Sequence, residues 1–217
     1  MTLWDPDERA AAVETILGQA PALPVLTIED VGAAVPLART LVAAGLPVLE
    51  VTLRSEAALA AIARIRSEVP EAVVGAGTVL DGGDLDRVTE AGASFAISPG
   101  SSRELYAAAA GASIPFIPGI ATASELMQGL AKGHRCFKLF PASAAGGIDL
   151  LKAFAGPFAR ARFCPTGGIS QANAASYLAL GNVLTVGGSW MAPTRLIRAG
   201  DWEAIAALAR ECAGLRR

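Results

Sequence analysis

Two side chains carry charge where the surrounding sequence is apolar: Lys138, in Cys136 to Ala142 (CFKLFPA), and Glu50, in LPVLEVTL. Placing an ammonium in an apolar strand is costly unless it is paired or neutralised, so a lysine there needs a reason. Desolvation favours a neutral amine, which attacks carbonyl carbons and forms Schiff bases with ketones, a reaction closed to arginine. Lysine is also scarce in this chain, being confined to Lys132, Lys138 and Lys152. A carboxylate in the same interior can shuttle protons for such an amine. Two plainer readings compete: Lys138 can snorkel outward between helices, and the pair can be a structural ion bridge.

Anion-binding groups lie further along the chain. CPTGGIS (Cys164 to Ser170) and TVGGSW (Thr185 to Trp190) each place a glycine pair beyond an apolar run. Backbone N–H groups of such turns approach phosphate closely, so Gly167, Gly168, Gly187 and Gly188, with the hydroxyls of Thr166 and Ser189, form a candidate phosphate site. Tight turns alone would also explain the glycines. Arg54 and Thr78 can clamp a small carboxylate, although Arg54 also suits a surface ion pair. Ser98, Pro99 and Gly100 follow another apolar run. The one histidine, His134, precedes a strand rather than following it, which speaks against histidine catalysis and a histidine-ligated metal. Glu29, Asp30 and Asp81 read more simply as helix-start residues than as metal ligands.

The elements that must position these groups alternate regularly. After a helical pattern from Asp7 to Leu17, strands are expected at Leu23 to Thr27, Pro47 to Leu53, Ala72 to Thr78, Phe95 to Ser98, Ile114 to Ile117, Cys136 to Phe140, Arg162 to Pro165 and Val183 to Val186. Helical patterns fill the gaps at Ala33 to Ala43, Ser55 to Glu68, Gly83 to Glu90, Ser102 to Ala110, Ser124 to Ala131, Gly147 to Phe154, Gln171 to Leu180 and Trp202 to Ala213. Strands that are apolar throughout, each followed by a helix, predict an α/β protein: a (β/α)8 TIM barrel with an extra N-terminal helix, residues 1–217 forming one domain. In that fold the C-terminal ends of the strands carry the chemistry; Arg54 and both glycine pairs fall there, and Glu50 and Lys138 are the only ionisable side chains in the strand interiors.

A net charge of −2 gives no reason to expect nucleic acid or an anionic membrane as partner. Residues 163–194 carry no charge, yet Pro165, five glycines, Gln171, Asn173 and Asn182 interrupt them, so a membrane span is not expected. Cys136, Cys164 and Cys212 follow neither a disulfide framework nor a zinc spacing, and the acidic N-terminus lacks the pattern of a secretory signal; a cytoplasmic protein is expected.

The segments VLEVTLR, VPEAVVGAGTVL, FAISPG, IPGIATASELM, FKLFPA, RFCPTGGIS and VGGSWM, in this order, resemble those of the 2-keto-3-deoxy-6-phosphogluconate (KDPG) aldolase and 4-hydroxy-2-oxoglutarate aldolase family. The resemblance implies a metal-independent class I aldolase without cofactor, cleaving KDPG to pyruvate and glyceraldehyde 3-phosphate and, in many members, 4-hydroxy-2-oxoglutarate to pyruvate and glyoxylate. It further implies Lys138 as the Schiff-base lysine and Glu50 as the general acid/base. Arg54 and Thr78 then bind the pyruvate portion, Pro99 lies at the substrate, and Thr166, Gly167, Gly168, Gly187, Gly188 and Ser189 hold the phosphate. A small anionic 2-keto-acid phosphate as substrate and a homotrimeric assembly complete the expectation. The chain departs from the family pattern at SSREL after SPG and at Leu139, where an aromatic is common. A sister aldolase for the galactonate epimer and a phosphosugar isomerase or epimerase that forms no imine remain alternatives.

Overall fold

The computed structural model describes residues 5–215. In chain order the elements are α1 (Pro6–Leu17), β1 (Ala22–Leu26), α2 (Val31–Ala43), β2 (Val48–Thr52), α3 (Ala58–Glu68), β3 (Val73–Gly77), α4 (Gly82–Glu90), β4 (Ala96–Ile97), α5 (Arg103–Ala110), β5 (Phe116–Ile117), β6 (Gly119–Ile120), α6 (Ala123–Ala131), β7 (Cys136–Leu139), α7 (Gly147–Ala155), β8 (Arg162–Pro165), α8 (Ala174–Leu178), β9 (Val186–Gly188), α9 (Thr194–Ala199) and α10 (Trp202–Ala213). All strand pairings are parallel, as helical crossovers require. Six strands form a sheet in the order β5-β4-β3-β2-β1-β9, and β6-β7-β8 form another. Isolated bridges Phe163 to Val183 and Thr166 to Gly187 link β8 towards β9, giving a curled parallel sheet.

Helix starts account for the acidic residues set aside above. Asp5 caps α1, with Pro6 in the first turn, Asp30 caps α2 and Asp81 caps α4, each accepting backbone N–H bonds that the first turn leaves over. Glu29 instead makes a two-point ion pair with Arg198, at 2.7 and 2.8 Å.

The strands are buried on both faces. One face packs on the helices through residues such as Leu26, Leu49, Val51, Leu139 and Phe163. On the other, Leu23, Val48, Phe95, Ile97, Ile117, Cys136 and Cys164 form a separate apolar cluster, which Val13 and Leu17 of α1 complete. Each such fully buried side chain stabilises by roughly 1.5–3 kcal/mol, enough to hold α1 against the N-terminal ends of the strands. With period two, the next positions on this face are Val25, Glu50, Lys138 and Thr166. Apolar layers beneath and polar groups above are therefore a property of each strand's own alternation.

Four expectations from the sequence need correction. The fifth strand is broken, because Pro118 has no N–H to donate; β5 pairs with β4, whereas β6 pairs with β7. The last strand lies at Val186–Gly188, later than expected: Val183 makes only an isolated bridge to Phe163 of β8, and the backbone turns to β1 from Val186, whose N–H bonds Pro21 O at 3.0 Å. The helix expected from Gln171 starts only at Ala174, since the Asn173 side chain accepts from Ser170 N and donates to Gly168 O, competing with helical bonds. Finally α9 was not anticipated; its close is Gly200, left-handed at φ 65°.

Candidate active site

Strand β2 and the turn after it deliver three polar groups. Glu50 and Thr52, two positions apart, share one face of the strand, and Arg54 follows in the turn, its Nε donating to Thr52 Oγ1 at 3.1 Å. Glu50 lies beside Val25 of β1 and Gly75 of β3. Lys138 sits on β7, next to Gly119 and Cys164. The two strands belong to different sheets, yet the side chains meet across the interior: Lys138 Nζ donates to Glu50 Oε1 at 2.7 Å. Both are buried, Lys138 at 5% exposure and Glu50 at 0%. Lys138 thus points inward and does not snorkel. Removing either partner would strand a charge at a cost of about 3–5 kcal/mol.

The carboxylate owes its place to a glycine. A Cβ on Gly77 would lie 2.7 Å from Glu50 Cγ and Cδ, so only a bare backbone on β3 leaves room for it. Glu50 Oε2 is buried without a hydrogen-bond partner among the described residues. Its second oxygen thus faces no competing protein donor among the described residues. The Phe140 ring centroid is 5.5 Å from Lys138 Nζ, near enough for its π-face to favour positive charge on that nitrogen. Cys164, the strand neighbour of Lys138, is no competing nucleophile: burial pushes its thiol up to about 12, although the Lys138 charge works in the opposite sense.

Above the pair opens a cavity of about 340 Å³. Of the residues singled out from the sequence, Arg54, Thr78, Pro99, Lys138, Thr166, Gly167, Gly168, Gly188 and Ser189 line it. Glu50 lies below, reached through Lys138. Gly187 does not line the cavity; it pairs with Thr166 at the β8–β9 bridge, where a Cβ would be 3.2 Å from the threonine's Cβ and Cγ2. Ser98 is also structural, its buried Oγ accepting from Gly119 N at 3.1 Å across the strand break. His134 lies at the other end of its strand, between the rings of Tyr106 and Phe116, and burial holds it neutral with a pKa of about 3.

Thr78 has φ 62°, a left-handed conformation that a β-branched residue adopts only at a cost of about 1–3 kcal/mol. Its neighbours enforce it: Leu53 N bonds Gly77 O at 2.9 Å, Val79 N bonds Ile97 O at 3.2 Å, and Leu80 N bonds Asp84 Oδ2 at 2.9 Å. The Gly167–Gly168 turn is likewise strapped down. Its carbonyls, with that of Thr166, are taken by Ala142 N, Ser143 N, Ser143 Oγ and Asn173 Nδ2. The N–H groups of Gly167, Gly168 and Ile169 find no acceptor among the described residues, so three successive donors stand beside the cavity in a nest suited to an anion.

Sequence reasoning missed Gly77, Thr52, Val25, Phe140 and Ile169. Alternation along LEVTLR was the available signal for Thr52. The others become visible only when strands distant in sequence face one another. Among the described residues no three His, Cys, Asp or Glu side chains gather as a metal site.

An amine that can hold a ketone covalently, with a carboxylate in reach of the protons this releases, is the equipment of an aldehyde-lyase, and comparison with known proteins agrees on that class. The chain belongs to the KDPG and KHG aldolase family, whose model matches residues 13–208. It is 56% identical over 200 residues to the KHG/KDPG aldolase of Escherichia coli K12, covering 92% of this chain and 94% of that one. Among solved structures, it resembles the KDPG aldolase of Legionella pneumophila, which holds pyruvate captured at low pH as a covalent carbinolamine, with TM-score 0.91, 44% identity and coverage of 97% and 99%. The KDPG aldolase of Zymomonas mobilis ZM4 with 3-phosphoglycerate gives TM-score 0.90 and 46% identity, over 96% and 98% of the two chains.

Proposed function

We propose that this protein is a class I aldolase that cleaves KDPG to pyruvate and glyceraldehyde 3-phosphate, and 4-hydroxy-2-oxoglutarate to pyruvate and glyoxylate. The observation that carries this reading is the buried 2.7 Å contact between Lys138 and Glu50 at the base of the cavity. Proton transfer along that bond frees the amine, which adds to the C2 ketone. Glu50 then protonates the carbinolamine hydroxyl, water leaves, and a cationic imine forms on Lys138. The imine nitrogen is the electron sink. Glu50 takes the proton of the C4 hydroxyl, the C3–C4 bond breaks, its electrons form a neutral enamine, and the aldehyde departs. Reprotonation at C3 and hydrolysis release pyruvate and restore the amine. A protonated imine supplies the electrophile that a metal would otherwise provide, so the reaction is assigned no metal and no cofactor.

Substrate recognition follows the cavity's chemistry. Arg54 and Thr78 take the carboxylate, Pro99 bounds the pyruvate end, and the Gly167–Gly168 turn with Thr166, Gly188 and Ser189 takes the phosphate. Anchoring the distant end lets binding energy orient the reacting bond. Gly187 contributes through Thr166 alone.

The two sheets are read as one (β/α)8 barrel of a single domain, with α1 as an addition at its N-terminal end; the β8–β9 bridges and the continuity of β5 and β6 through Pro118 support this. A homotrimer in the cytoplasm is proposed from the family resemblance. No helix of the described residues is long and apolar enough to cross a membrane. Light scattering after size exclusion tests the trimer.

The deciding experiment is borohydride reduction with pyruvate. A reduced pyruvate adduct on Lys138, lost in Lys138→Arg together with turnover, is expected. An unmodified Lys138, or near-wild-type turnover in that variant, would overturn the assignment and favour an isomerase or epimerase. Comparing kcat/KM for KDPG, its galactonate epimer and 4-hydroxy-2-oxoglutarate then ranks the substrates.

A further inference from the structure

We propose that Thr52 is the positioning residue that presents Arg54 to the substrate carboxylate, an inference that rests on reading the cavity as the site of a pyruvate imine. Arg54 lies in the exposed turn after β2 and belongs to none of the ion pairs formed among the described residues. Its tether is a neutral one: Nε donates to Thr52 Oγ1 at 3.1 Å. Thr52 itself is buried, and its hydroxyl donates to Leu26 O, at the end of β1, at 2.9 Å. A hydroxyl has one proton and two lone pairs. With the proton committed to Leu26, the lone pairs face outward for Arg54 Nε and for the Thr27 hydroxyl, 3.2 Å away. The polarity of the network is therefore set by the β1 backbone. With Nε engaged, the Nη1 and Nη2 edge remains for a two-point grip on a carboxylate. The strand thus supplies the proton carrier and the tether at alternate positions, and the turn that follows it supplies the carboxylate clamp.

The alternative is that Thr52 only fastens β1 to β2. The two roles separate in borohydride trapping measured against pyruvate concentration, where half-saturation reports carboxylate binding and the limiting rate reports imine formation at Lys138. Thr52→Val frees Arg54 without removing it, and is expected to raise half-saturating pyruvate by ~3- to 10-fold, the factor for re-ordering one rotamer-rich side chain on binding. The limiting rate should hold, and Thr52→Ser, which keeps the hydroxyl, should return half-saturation to wild type. In an Arg54→Ala background the valine should add nothing. A fall in limiting rate with unchanged half-saturation, or an equal effect of the valine with and without Arg54, would overturn the proposal. Thr52→Ala provides the same readout if the valine variant does not fold. Failure of the wild-type protein to trap pyruvate at all would instead refute the imine reading beneath it.

Discussion

Gly77→Ala tests how the site is held, because it adds one methyl group outside the cavity lining and directly against the carboxylate. Gly77 is not among the positive-φ residues, so its backbone accepts alanine, and any effect must come from contact. The new Cβ would lie 2.7 Å from Glu50 Cγ and Cδ, whereas carbon atoms settle at about 3.5–4.0 Å, so the carboxylate must withdraw by roughly 1 Å. Its bond to Lys138 is 2.7 Å long and does not survive such a move. Misplacement of this size costs roughly 10²-fold in rate, and crowding a filled interior costs about 1–3 kcal/mol, or about 2–12 °C in Tm for a chain of this length. Turnover is read by coupling pyruvate release to NADH oxidation by lactate dehydrogenase, and stability by thermal melting. Shortening the acid in the double variant Gly77→Ala/Glu50→Asp returns the added volume, so its melting point should exceed that of Gly77→Ala alone. Wild-type turnover and melting in the single variant, or no recovery of stability in the double, would refute the claim that Gly77 is the cradle of Glu50.

Other perturbations have equally definite outcomes. Glu50→Gln keeps the shape of the acid but cannot carry its proton, and should slow turnover by roughly 10²- to 10⁴-fold in steady-state assays; a change below about tenfold would remove its role. His134, with a folded pKa of about 3, is neutral while the unfolded chain binds a proton below the ordinary value of 6.5. Its contribution to stability is therefore complete above pH 6.5 and is lost as pH falls towards 3. The gap in urea-unfolding stability between wild type and His134→Phe should shift in the variant's favour by about 1.4 kcal/mol per pH unit between about pH 6 and 4; a gap independent of pH would contradict the buried neutral imidazole. Cys136 and Cys164, both pushed up to about 12 mainly by burial, should resist iodoacetamide at pH 8 in native protein and react after denaturation, as followed by mass spectrometry.

Much of this was legible in one dimension. A lysine amid CFKLFPA and a glutamate amid LPVLEVTL stand out because an apolar strand tolerates charge only with a partner, and each was expected where it is found, inside a strand. Local rules also served for the helix caps, where Asp30 and Asp81 bond within their own first turn. The misses lie in the strands: Pro118 breaks the fifth strand and passes the chain from one sheet to the other, and the last ladder forms only from Val186, beside Ala22 of β1. The pairing of Lys138 with Glu50 had no sequence signal beyond chemical type, since the residues stand on strands that share no ladder. Whether the lysine faced inward and which glycine made room for the acid were decided by how the strands come together in the curled sheet. Alternation along a strand assigns side chains to a face, but only the curl of the sheet decides which faces meet.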